Sequence, residues 1–168
     1  MTYVFVYNKR IGGKMMRLTR RFIVKSLNHL SLSDSIRYER YYINDELRVQ
    51  KKGDTYEKEV LNEENIVVKK IPITKEEFDE LKKSAYSKLI RDSYQYLEDD
   101  RVSIKQYYGD FEGLNRVEVK FISKQEMASY EKEDWMGEEI TDSPLAFDKD
   151  LSKQNREEFL VEIQKFIE

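Results

Sequence analysis

The sequence predicts an α+β fold in which an antiparallel sheet closes into a barrel and helices flank it late in the chain. Three observations carry this. Strand-like runs are joined by turns rather than by regular strand–helix–strand units. Residues 102–121, VSIKQYYGDFEGLNRVEVKF, read as two alternating strands around Gly109, Asp110 and Gly113. Ser103, Lys105 and Tyr107 share one face of the first strand, opposite Val102, Ile104 and Gln106. Arg116, Glu118 and Lys120 share one face of the second, opposite Val117, Val119 and Phe121. Helix-start signatures, finally, appear only from Thr74 onward.

The earlier elements follow the same logic. Residues 2–7, TYVFVY, form a β-prone run ended by Asn8 and Gly12-Gly13. Residues 17–24 make a second strand, with Arg17, Thr19, Arg21 and Ile23 on one face. A polar loop through Asn28 and Asp34 leads to the tyrosine-rich strand 36–43, and Asn44-Asp45 punctuates before 46–50. Gly53-Asp54 turns the chain into 55–61, and a further strand covers 66–73. Thr74 with Glu77 is a capping-box signature, after which Phe78, Leu81, Ala85 and Leu89 keep helical spacing. Residues 93–96 read as a short strand cut off by Glu98, Asp99 and Asp100. Ser123 and Glu126 open a short helix, and Asp142-Ser143-Pro144 form a turn. Ser152 starts a final helix whose Phe159, Leu160, Ile163, Phe166 and Ile167 make a core stripe. The count is about eight strands and three helices.

Composition bounds the function. The 168 residues suit one domain with a real core; 38% are charged, nearly balanced at a formal net charge of −3. That argues against bulk attraction to nucleic acid or membrane, while leaving room for local basic clusters. With no cysteine there are no disulfides, thiolate metal sites or cysteine nucleophiles. The one histidine, His29, sits in a loop-like run and reads as a surface residue. No run has the length of a membrane span or signal peptide, so the expected location is cytoplasmic.

Glycine-rich phosphate loops, a His-Glu-x-x-His helix and a Gly-x-Ser-x-Gly elbow are all absent. Instead, ionisable residues occupy alternating positions on many strands. Arg17, Arg21, Arg48, Arg91, Lys105 and Lys120 are basic; Glu46, Glu57, Glu59 and Glu118 are acidic. In a barrel one alternating set points inward, and inward cations need carboxylates or a bound polyanion as counter-charge. An anion-binding lumen is the sharp hypothesis; solvent-facing charged rows are the bland one.

Four stretches carry a family resemblance. They are Arg20-Arg21-Phe22-Ile23-Val24; Arg40-Tyr41-Tyr42-Ile43 with Leu47-Arg48-Val49 and residues 53–56; Gly113-Leu114 with Val117-Glu118-Val119; and Trp135-Met136-Gly137-Glu138-Glu139-Ile140-Thr141 with Leu151. In this order and spacing, from about Arg17 to Leu151, the chain resembles a CYTH domain. This is the triphosphate tunnel family of adenylate cyclases, thiamine triphosphatases and inorganic triphosphatases. The resemblance implies an eight-stranded antiparallel tunnel in which basic side chains hold a triphosphate. It also implies carboxylates that hold Mg²⁺ or Mn²⁺ for phosphoryl hydrolysis. Residues 16–168 would be the tunnel domain, with the C-terminal helix. Residues 1–15 would be an N-terminal extension, either an added edge strand or an upstream start.

The departures from the family pattern shape the functional expectation. Its two signature glutamates fall on Arg17 and Thr19, its lysine position is Arg21, and the partner of Glu118 is Lys120. Glu118 is the one carried-over metal ligand; Glu57, Glu59 and Glu139 are the other carboxylates that could complete a metal shell. Arg17, Arg21, Arg48, Arg91, Lys105 and Lys120 are the expected phosphate-binding set.

Three readings stand. The first is a tunnel that binds a triphosphate-like or nucleotide polyanion with weak or no hydrolysis. The second is an active divalent-metal-dependent triphosphatase, and the third a scaffold whose tunnel is vestigial. Inorganic triphosphate, thiamine or nucleoside triphosphate, an RNA 5′ triphosphate end and a cyclic nucleotide all remain candidate ligands. No membrane partner is expected, and the oligomeric state is open.

Overall fold

The structure, a computed structural model, describes residues 8–11 and 14–167, with side chains from Leu18 onward. β1 (Asn8–Ile11) and β2 (Lys14–Arg17) pair as a small antiparallel hairpin apart from the main sheet. The strand expected at 2–7 lies outside the described residues. Arg17 ends β2 opposite Asn8 instead of opening the strand that carries Thr19 and Arg21.

Eight strands form the main sheet. They are β3 (Thr19–Ile23), β4 (Ile36–Asn44), β5 (Leu47–Lys52), β6 (Thr55–Leu61), β7 (Val67–Pro72), β8 (Ser87–Gln95), β9 (Val102–Tyr107) and β10 (Asn115–Lys120). Their order is β3-β10-β9-β8-β4-β5-β6-β7, antiparallel throughout. Among the described residues four α-helices accompany them: α1 (Lys75–Leu81), α2 (Lys124–Ser129), α3 (Asp148–Ser152) and α4 (Arg156–Gln164). Among the described residues no helix is long and apolar enough to cross a membrane.

The sheet curls but is not closed by hydrogen bonds, because β3 and β7 end the ladder without pairing to each other. Thr19 of β3 and Val67 and Lys70 of β7 nevertheless line one cavity, so the ends approach across it. The free edge of β3 is covered from outside by residues 137–141. Gly137 N donates to Ile23 O at 2.7 Å, Ile23 N to Glu138 O at 3.0 Å, and Ile140 N to Arg21 O at 2.8 Å. An uncovered edge strand is an open template for pairing, and this segment removes it.

Two helix boundaries differ from the sequence reading. Thr74 caps α1 as expected, its side chain accepting from Glu77 N, but the helix stops at Leu81. Residues 87–95 form β8 because both its edges are paired, Arg91 lying between Tyr38 and Tyr107. Leu89 is buried as an alternating strand residue, its helical spacing from Phe78 and Leu81 being coincidental. At the far end Ser152 closes α3, and α4 starts at Asn155 with a full capping box to Glu158.

The core lies outside and beneath the curled sheet. Phe22, Ile104, Val117, Val119 and Phe121 pack with Met136, Tyr130 and Trp135 on one outer face. Phe78 of α1 packs against Tyr41 and Tyr56 on another, ring centroids 5.6 and 5.1 Å apart. Leu145, Leu151, Phe159 and Ile163 meet Ile23, Leu89 and Tyr107, so α3 and α4 plug one mouth of the tunnel.

Gly137 shows how tightly the edge cover fits. A Cβ built there would stand 2.8 Å from Ile23 O. Gly137→Ala should therefore destabilise the fold by about 1–3 kcal/mol, read as a lower midpoint in urea unfolding. An unchanged midpoint would mean that residues 137–141 do not hold the β3 edge.

Candidate functional site

The register of the sheet turns strand alternation into a charged interior. Thr19 and Arg21 on β3 stand opposite Lys120 and Glu118 on β10. Glu118 and Arg116 stand opposite Ser103 and Lys105 on β9, and Ser93 and Arg91 of β8 opposite Lys105 and Tyr107. Tyr38 of β4 lies opposite Arg91, Arg40 opposite Gln50, and Tyr42 opposite Arg48. Arg48 and Glu59 pair next, then Glu59 with Lys70 of β7. One face of every strand thus feeds a cavity of about 290 Å³. Its lining includes nine cationic side chains, those of Arg21, Arg40, Arg48, Lys70, Arg91, Lys105, Arg116, Lys120 and Lys149, and three carboxylates.

Each carboxylate is shared by several cations. Glu118 takes Arg21 Nε at 3.2 Å on one oxygen and Lys105 Nζ at 3.0 Å on the other. Glu59 takes Arg48 Nε at 2.9 Å and Lys70 Nζ at 3.4 Å. Asp148, delivered by α3 into the plugged end, is the most heavily used. Arg40 Nη1 reaches its Oδ2 at 2.6 Å and Arg91 Nε the same oxygen at 2.9 Å. Arg116 Nη2 reaches Oδ1 at 2.9 Å, and the Tyr107 hydroxyl also donates to Oδ1.

The electrostatics follow from burial against this crowd. Burial alone would raise the Asp148 carboxyl, yet Arg91, Arg116 and Arg40 hold it well below the usual range. Glu118 behaves alike, burial being outweighed by Lys105, Arg116, Arg21 and Arg91. Burial also opposes ionisation of Glu59, but Arg48, Arg40 and Lys70 bring it down to about 2. On the cationic side burial pushes Lys105 down to about 7; Glu118 opposes this, while Arg91 and Lys120 add to it. Lys105 therefore titrates near neutral pH.

Of the expected phosphate-binding residues, Arg21, Arg48, Arg91, Lys105 and Lys120 line this cavity. Arg17 ends β2, and its side chain is outside the described set. Of the expected metal ligands, Glu118 and Glu59 line the cavity. Glu57 shares the inward face of β6 but is held by Gln50 Nε2 at 2.8 Å and lies 3.8 Å from Lys70 Nζ. Glu139 stands elsewhere: it forks Arg20 at 2.6 and 3.0 Å and accepts from Thr141 Oγ1, behind β3. His29 is exposed in a turn at φ 73°.

Sequence reasoning missed Asp148, Arg40, Arg116, Lys70 and Tyr107. Arg116 and Tyr107 share faces with Glu118 and Lys105, and Arg40 alternates with Tyr38 and Tyr42, so parity was a usable signal. Asp148 sits in a five-residue helix and has no periodic signature.

The donor set does not fit a divalent cation of the protein's own. Mg²⁺ and Mn²⁺ need several converging oxygens, and among the described residues no three of His, Asp and Glu converge. A metal at Glu118 would meet Arg21 and Lys105 within 3.2 Å of the carboxylate, a repulsive first neighbourhood.

The depressed Glu59 sets a pH signature. Its folded pKa lies below the unfolded value, so its stabilisation is present above about pH 4.5 and is lost as pH falls toward 2. The stability gap between the unaltered chain and Glu59→Gln, about 3 kcal/mol at pH 7, should shrink over that window in urea titrations. A gap independent of pH would overturn the ion-pair assignment.

Comparison with known proteins gives the fold. No family model matches the chain, and no curated protein matches it. Among solved structures, the crystal structure of the inorganic triphosphatase NE1496 superposes with a TM-score of 0.65 at 21% identity, covering 82% of this chain and 98% of that one. A second crystal structure, of the hypothetical protein NE1496, gives 0.67 at 22% identity, covering 81% and 96%. The eight-stranded antiparallel sheet with flanking helices thus shares its fold with the protein described as an inorganic triphosphatase, in line with the fold that the resemblance implied.

Proposed function

We propose that the chain binds a triphosphate-like polyanion, inorganic triphosphate or the phosphate chain of a nucleotide, in the basic cavity without efficient hydrolysis. One observation carries this reading: nine cationic side chains against three carboxylates, each already shared, around about 290 Å³. Enclosed cations lose hydration and repel one another, so a compact polyanion is the counter-charge that such a cavity favours. Arginines suit phosphate oxygens because their planar donors bind two at once. The volume, at the lower end of ordinary ligand pockets, suits a short phosphate chain. The same fold in a protein described as an inorganic triphosphatase supports the ligand class.

Hydrolysis is the second reading, favoured by that neighbour's printed description. Against it stands the poor metal shell around Glu118. Metal brought in on the phosphate chain would make hydrolysis depend on added cation.

The deciding experiment is a thermal shift with inorganic triphosphate, in EDTA and in Mn²⁺, with released orthophosphate read from the same wells. Stabilisation of about 3 kcal/mol at a hundredfold excess over Kd is expected in EDTA, with no phosphate released. Arg21→Ala should remove most of it. Orthophosphate release with Mn²⁺ alone would replace this reading by the triphosphatase, and no shift in either condition would leave neither.

Lys105 supplies a pH test of the same reading. Its ammonium, titrating near 7, is present below that pH and absent above it. Triphosphate affinity in EDTA should fall as pH rises from 6 to 8.5, and binding at pH 7.5 should take up a proton. In Lys105→Arg the cation persists, so that proton uptake should vanish in calorimetry across buffers of different ionisation heat. Identical uptake in both proteins would sink the role of Lys105.

A further inference from the structure

We propose that Asp148 occupies an anion subsite at the plugged end of the cavity, standing where a phosphoryl group would otherwise bind. This deepens the polyanion reading and rests on it for the ligand class. The subsite is a built one. Arg40, Arg91 and Arg116 converge on a single carboxylate with contacts of 2.6, 2.9 and 2.9 Å, and the Tyr107 hydroxyl adds a fourth donor. Arg91 and Arg116 are 4% and 3% exposed, so neither can turn to water for a counter-charge. Three guanidinium groups and a phenol around two oxygens form an oxyanion cradle with more donors than a carboxylate can use. The surplus is visible: Arg91 Nη1 and Arg116 Nε are buried without a hydrogen-bond partner. A tetrahedral phosphate presents more acceptor oxygens than the planar carboxylate and would engage such donors.

Asp148 is held in place by anchors outside the cradle. Leu145 and Leu151, on either side of it in sequence, are fully buried in the plug. Lys149 Nζ donates to Asp45 O at 2.7 Å and Lys153 Nζ to Asp45 Oδ1 at 3.2 Å, tying α3 to the β4–β5 turn. The carboxylate is therefore a fixed part of the fold, and a ligand finds Arg40, Arg91 and Arg116 already engaged by it. Its phosphates are left to the other lining cations, Arg21, Arg48, Lys70, Lys105 and Lys120. Asp148 thereby limits how many phosphoryl groups enter.

The test is chemical rescue of Asp148→Ala, with Asp148→Asn as the shape-keeping companion, both in the full chain. Orthophosphate at millimolar concentration in EDTA should raise the Tm of Asp148→Ala by several degrees more than that of the unaltered chain. Asp148→Asn should bind inorganic triphosphate about tenfold or more tightly than the unaltered chain, since one opposing charge is gone at short range. Equal orthophosphate shifts in Asp148→Ala and the unaltered chain would overturn the subsite. Should Asp148→Ala fail to fold even with phosphate, an unchanged triphosphate affinity in Asp148→Asn would overturn it, and a tightened one would support it. Orthophosphate rescue in a protein whose unaltered form ignores triphosphate would uphold the subsite while removing the polyanion reading.

Discussion

Repulsion among cations enclosed by a curled sheet is the constraint to which the rest of this structure answers. The cavity gathers arginines and lysines from seven strands and from the residue after Asp148. In so enclosed a space like charges a few ångströms apart would unfold the sheet unless each found a partner. Three carboxylates answer from three directions: Glu118 from β10, Glu59 from β6, and Asp148 from the plug. Their depressed pKa values and the lowered Lys105 are two sides of one balance.

That balance explains the architecture around it. A sheet with one charged face must bury its other face elsewhere, and it does so outward, against α1, α2 and residues 130–136. The end strands need not pair, because the edge of β3 is covered by residues 137–141. The plug does double duty. Leu145, Leu151 and Phe159 close the mouth with apolar surface, and Asp148 carries the counter-charge into it. Packing and electrostatics are therefore supplied by the same short segment.

Much of this was legible in the sequence because strand alternation is strict. Once Arg21, Arg48, Arg91, Lys105, Lys120 and Glu118 are placed on one set of faces, the sheet register brings them together with little further freedom. What escaped was whatever alternation does not encode. Asp148 reaches the cavity through tertiary packing of a five-residue helix. Glu139 belonged to a recognisable motif, but its position beside the β3 edge turns it toward Arg20. Leu89 kept helical spacing with Phe78 and Leu81 and still became a strand residue, because β4 and β9 pair along both sides of β8. In that contest long-range pairing outweighed a local period.

Weakening metal binding and strengthening anion binding are, at a residue facing this cavity, physically one change. A carboxylate facing the cavity both recruits a divalent cation and neutralises an arginine, so a cation at that position removes the first and frees the second. Lys120 beyond Glu118 and Lys70 beside Glu59 are such positions: each sets a positive charge on the inward face next to a carboxylate. With Glu118 and Glu59 committed to the cations around them, neither can turn to a metal without leaving Arg21, Lys105 or Arg48 in uncompensated burial. Holding a polyanion adds counter-charge to this network, whereas holding a dication subtracts it. The arrangement of charges therefore favours the first over the second.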